Sequence, residues 1–154
     1  MEHLIGIVTN RFLLITLISW LLAQLSKVVI HAIINRKINF KRMVEDGGMP
    51  SAHSATVWSF ATYTAIACGT ASFQFAASVI LALIVCRDAI GVRREAGKQA
   101  VVLNNIMKSF KEHKNSSVVL KELVGHTPLQ VVIGGILGVI SAIACHLIIT
   151  ILSA

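Results

Sequence analysis

The run "LQVVIGGILGVISAIACHLIITI", residues 129–151, contains no Asp, Glu, Lys or Arg. About 20 apolar residues cross the hydrocarbon core of a bilayer, so the run reads as a membrane-spanning helix. Outward from it, three more stretches read the same way, approximately 12–34, 53–69 and 73–92. The 53–69 stretch is short and holds several Ser and Thr residues. Composition agrees: 55% of the 154 residues are hydrophobic and 14% charged, against about 25% charged in a soluble domain. Mean hydropathy is +0.77. The expected fold is an all-α membrane protein, a single domain over 1–154 with about four transmembrane helices plus an amphipathic surface helix. The first ten residues lack a basic n-region and no small-x-small site follows, so the first span reads as an uncleaved helix.

Charge is distributed unevenly. Arg36, Lys37, Lys41 and Arg42 follow the first span, and Arg87, Arg93, Arg94, Lys98, Lys108, Lys111, Lys114 and Lys121 lie at or after the end of the third. With four spans, both groups fall on one side, which the positive-inside rule makes cytoplasmic. A bacterial cell membrane, with the site facing the cytoplasm, is the expected location. Membrane lipids are expected partners, because basic segments attract anionic headgroups. Topology already accounts for the basic residues, so nucleic acid is not expected as a partner. Cys68, Cys86 and Cys145 show no paired spacing and read as buried small hydrophobes.

The segment 93–125 begins with apolar residues at Ala96, Ala100, Leu103, Met107 and Phe110, spaced for one helical face. It reads as an amphipathic helix on the membrane surface. "KEHKNSS", residues 111–117, reads as a loop, with Val118, Val119, Leu120 and Leu123 in a second short helix.

Polar residues inside spans are functional candidates, because lipid penalises them. Gln24, Lys27, His31 and Asn35 share one face of the first span. An inward polar seam is one reading, and a Lys27 that snorkels to the interface is the other. Arg87 and Asp88 precede Arg93 and Arg94, as a structural ion pair or as the wall of a polar pocket. His146 reads as a packing residue near the far side.

"GGMPSAHSA", residues 47–55, sets two glycines and Pro50 before an apolar run. Gly47 and Gly48 admit backbone conformations closed to other residues. Pro50 suits a first helical turn. The N–H groups of such a helix start would face Ser51 and His53, an arrangement that binds oxyanions. "GHTPLQVVIGGILG", residues 125–138, puts His126 beside a second proline at the same membrane face. Two histidines, Lys27, Arg93 and Arg94 at one level suit phosphoryl transfer: cations hold phosphate, one imidazole attacks, another protonates the leaving oxygen.

Together with "DAIGVRREAGKQAVVLN", residues 88–104, these blocks resemble the divergent branch of the type 2 phosphatidic acid phosphatases, in the superfamily that includes the vanadium haloperoxidases. The parent pattern has a Lys motif ending in Arg-Pro, then P-S-x-H, then S-R-x5-H-x3-D. The resemblance implies that Lys27 and Ser51 bind phosphate, that His53 is the general acid, and that His126 is the nucleophile forming a phosphohistidine. Departures are visible: no Arg-Pro follows Lys27, Leu120 stands where the arginine would precede His126, and Gln130 replaces the aspartate. Arg93 or Arg94 is the expected substitute for the arginine. Gln130 could orient the imidazole but not balance its charge, Asp88 and Glu122 are the nearest substitute carboxylates, and Gly48 supports the motif. No metal or cofactor is expected. Gly134 and Gly138 form a small-xxx-small face, and a homodimer through it is expected.

The function implied is a metal-independent phosphatase whose partner is a phosphorylated lipid or isoprenoid substrate. Two alternatives stand beside it: a non-catalytic binder of phosphorylated headgroups, which Gln130 favours, and a small transporter or proton relay built on Gln24, Lys27, His31 and Asp88. A haloperoxidase is remote.

Overall fold

Residues 1–39, 43, 48–110, 119–120 and 125–153 are described by the computed structural model. The helices are α1 (Glu2–Val8), α2 (Arg11–Asn35), α3 (Ala52–Cys68), α4 (Phe73–Ile90), α5 (Val92–Phe110) and α6 (Pro128–Leu152). The four expected spans coincide with α2, α3, α4 and α6. Among the described residues, α2, the α4–α5 pair and α6 are long and apolar enough to cross a membrane; α3, at 17 residues, is shorter. α1 was not foreseen.

Polar residues just outside the apolar runs start the helices. Asn10 accepts from the N–H groups of Phe12 and Leu13, Ser51 from Ser54, and Ser72 from Phe75, so the first N–H groups of three spans are satisfied at the caps. Pro50 lies before the Ser51 cap rather than in the first turn of α3. The proline that does open a helix is Pro128 of α6.

Contacts fix the helix directions. Phe12, near the start of α2, meets Tyr63, near the end of α3, with ring centroids 4.9 Å apart. Ala23, further along α2, packs on Ala52 and Ala55 at the start of α3, so the two run antiparallel. Gly134 lies on Ser51 and Gly138 on Ala55, so α6 runs parallel to α3. Cys86, late in α4, meets Ser54, early in α3. α3 therefore sits centrally, touching α2, α4 and α6.

The glycine face has its partner within the chain. A Cβ at Gly134 or Gly138 would overlap the backbone of Ser51 or Ala55, so this face is already filled within the chain by α3. A second copy would find it covered.

Buried hydroxyls satisfy themselves locally. Ser59, Thr64 and Ser78 donate to carbonyl oxygens of their own helices at 2.7–2.9 Å. Ser19 pairs with Ser141 across α2 and α6 at 2.5 Å. Paired in this way, hydroxyls avoid the several kcal/mol an unbonded polar group costs in hydrocarbon. Outward residues such as Leu17, Ile84, Ile136 and Ile148 are exposed and apolar, as a lipid-facing surface requires.

The amphipathic helix forms as α5, but its covered face is Gly97, Ala100 and Asn104, while Leu103 is 48% exposed. The Asn104 amide explains the rotation: Nδ2 donates to the Leu120 carbonyl and Oδ1 accepts the Leu120 N–H, both at 2.9 Å. Of the expected second short helix, Val119 and Leu120 are described and lie in no helix; its other residues, and the 111–117 loop, lie outside the described residues.

Candidate active site

The helix directions bring the ends of α2 and α4 and the starts of α3, α5 and α6 to one end of the bundle. There the imidazoles of His53 and His126 lie with ring centroids 6.1 Å apart and planes at 80°. His53 is exposed and His126 is 4% exposed.

His126 is positioned through its backbone. Its N–H donates to the Ala89 carbonyl at the end of α4, at 3.0 Å. Gly125 before it has φ +88, and a Cβ there would lie 2.5–2.8 Å from backbone atoms of Arg93 and Arg94. Only glycine fits both the dihedral and the space. The close approach seats the His126 segment on the Arg93–Arg94 main chain. Sequence reasoning used this glycine only as part of a motif.

Ser51 is fully buried and ties the two helix starts together. Its N–H donates to the Gln130 carbonyl at 3.1 Å. Its hydroxyl oxygen accepts from the Ser54 N–H and the Ser54 hydroxyl, at 3.4 and 3.1 Å. Only its own proton is left over for an oxyanion. With α3 and α6 parallel and starting side by side, their positive dipole ends add at this end.

Lys27 is 7% exposed and points inward, so it does not snorkel. Lys27, His31, Asn35, Gly48 and Met49 line a cavity of about 220 Å³. Gly48 has φ +85, the left-handed region its motif needs; Gly47 lies outside the described residues. His31 Nδ1 faces the Lys37 carbonyl at 3.3 Å, and Asn35 Nδ2 donates to the His31 carbonyl. Gln24 is buried and its Oε1 has no hydrogen-bond partner among the described residues.

Arg93 Nε donates to Asp88 Oδ2 at 2.9 Å in a pair that is about half exposed. An ion pair so hydrated contributes about 1 kcal/mol or less, so Arg93 exchanges partners at little cost. Arg94 is exposed. Glu122 lies outside the described residues.

Gln130 is engaged at its own helix start. Its Oε1 accepts the Thr127 N–H at 2.9 Å, while the Thr127 hydroxyl accepts the Gln130 N–H, forming a capping box. The T-x-x-Q spacing at the start of an apolar run was a readable signal for this box. At the far end of the bundle, His146 packs against Tyr63 with ring centroids 6.1 Å apart. Among the described residues no three His, Cys, Asp or Glu side chains gather as a metal site.

The chain is 39% identical over 146 residues to the "Uncharacterized membrane protein YuiD" of Bacillus subtilis (strain 168), covering 87% of this chain and 92% of that one. No solved structure matches. Residues 8–141, which take in both histidines, Lys27 and the arginine pair, match the model of the Divergent PAP2 family, so this membrane protein belongs to that family.

Proposed function

We propose that the chain is a metal-independent phosphatase acting on a lipid or isoprenoid phosphate. The observation that carries this reading is the meeting of the His53 and His126 rings, 6.1 Å apart, at the end of the bundle where Lys27 lines a cavity and Gly125 packs on the Arg93–Arg94 backbone. An imidazole nitrogen of His126 attacks phosphorus and the P–O ester bond breaks. His53 gives its proton to the departing alkoxide. Water then attacks the phosphohistidine, His53 takes a proton from that water, and inorganic phosphate leaves. Lys27, Arg93, Arg94 and the Ser51 hydroxyl balance the phosphoryl charge, and Gly48 shapes the approach to Lys27.

The site end also carries Arg36, Lys37 and Arg87. By the positive-inside rule it faces the cytoplasm, in a bacterial cell membrane. The test is phosphate release by purified protein, with chelator present, from phosphatidate, phosphatidylglycerophosphate and prenyl diphosphates. Release that persists with chelator and disappears in His126→Ala and His53→Ala supports the reading.

One observation favours a second reading, a non-catalytic binder of phosphorylated headgroups. The motif position that carries a carboxylate in the parent pattern holds Gln130, and its oxygen is engaged by Thr127. Lipid-phosphate binding without any turnover would establish that reading.

A further inference from the structure

A groove of about 470 Å³ runs down the flank of the bundle between α3, α4 and α6. Its walls are Trp58, Cys86 and a stripe of α6 from Val131 to Ile140. Val132, Ile136 and Ile140 on its rim are 54–59% exposed, so it opens sideways toward lipid. Gly135 makes room at its back: a Cβ there would lie 2.9 Å from Cδ1 of the Trp58 ring.

Two features connect this groove to the histidine pair. Val131, at its upper end, stands one turn into the helix that His126 precedes. Cys86 in its wall lies 3.8 Å from the Ser54 hydroxyl, which in turn donates to Ser51. The depth also fits: the α6 stripe from Val131 to Ile140 covers about 14 Å at 1.5 Å rise per residue. One leaflet of a hydrocarbon core of about 30 Å is about 15 Å deep. A chain lying in the groove would keep its headgroup at the level of His53 and His126.

We propose that the groove holds one hydrocarbon chain of the phosphate-bearing lipid, entering from the bilayer, with Trp58 and Gly135 limiting its girth. This rests on the phosphate-ester reading above, and it makes the substrate a lipid of the same leaflet. The phosphate-binding cations and the groove together recognise an amphiphile, whereas a soluble phosphate ester would leave the groove to bulk lipid.

The experiment reads binding separately from turnover. The chain has two tryptophans, so Trp20→Phe leaves Trp58 as the only reporter. Protein in phosphatidylcholine nanodiscs is titrated with a long-chain alkyl phosphonate brominated at its chain end. The expected result is saturable quenching of Trp58, reversed by unlabelled alkyl phosphonate but not by the matching alcohol. Val139→Phe, which fills the groove, weakens the apparent affinity at least tenfold. Ile136→Phe on the lipid-facing rim gives the same readout if Val139→Phe does not fold, and Ile148→Phe on the opposite face of α6 leaves quenching intact. Equal quenching by brominated phosphatidylcholine without competition by the phosphonate overturns the proposal, as does an affinity that groove filling leaves unchanged. Phosphate release without specific quenching sinks the groove alone; specific quenching without release sinks the phosphatase reading alone.

Discussion

His53 presents its ring edge-on to His126, 6.1 Å between centroids, with His53 in water's reach and His126 nearly enclosed. The asymmetry matches a division of labour. The exposed imidazole can exchange protons with solvent, while the enclosed one is shielded until phosphorus arrives.

The two histidines are distinguishable by leaving group. On an alkyl phosphate, His53→Ala lowers kcat by roughly 10²–10⁴, the range a positioned general acid supplies. On a nitrophenyl phosphate, whose leaving group needs no proton, most of that deficit disappears, whereas His126→Ala remains inactive on both. Steady-state kinetics on the two esters check this.

Lys27→Met keeps the apolar stem and removes the charge. A hydrogen bond to a charged group contributes about 1.5–3 kcal/mol, so kcat/KM falls roughly 10- to 150-fold. Since the residue lines a cavity with Gly48 and Met49 rather than the lipid face, thermal unfolding in detergent changes little.

Gly138→Ala sets a methyl group against the Ala55 backbone, which cannot rotate away as a side chain would. Overpacking of this kind costs about 1–3 kcal/mol. The expected outcome is a lower Tm by differential scanning, with the α3–α6 pair loosened and phosphate release reduced in parallel.

Asn104→Leu removes both bonds to the Leu120 backbone and leaves that N–H and carbonyl without their partner. Each unsatisfied buried group costs about 1–3 kcal/mol. Proteolysis between α5 and α6 is expected to accelerate, while the helices of the bundle keep their protection in hydrogen exchange.

Gln130→Glu preserves an acceptor for the Thr127 N–H and is expected to behave like the native chain. Gln130→Ala opens the capping box and costs about 0.5–2 kcal/mol, read as a lower Tm. An effect on His126 chemistry beyond that loss would show that the side chain also serves the imidazole.

The spans could be read from sequence because strongly apolar runs near 20 residues have one physical outlet in a membrane, and the caps Ser51 and Thr127 stand where the polar residues stop. The meeting of His53 and His126 was legible too, since alternating spans return their starts to one side. What could not be read was which surface a feature serves. Gly134 and Gly138 announce close approach, but nothing local says whether the neighbour is α3 or a second copy. Gln130 offers an oxygen equally to an imidazole and to its own helix start, and the nearer donor, Thr127, takes it. Asn104 sits in an amphipathic pattern that predicts burial of Leu103, until its amide finds the Leu120 backbone.

The helix at the centre of the bundle is also the one least equipted to enter a bilayer alone. α3 is 17 residues long, and its Ser54, Ser59 and Thr64 are buried against protein rather than lipid. During synthesis it emerges before α4 and α6, against which it packs in the finished bundle, exist. Its residence in the membrane is thus a property of the finished assembly, and the motif it carries is completed only when the last span, with His126 at its threshold, arrives.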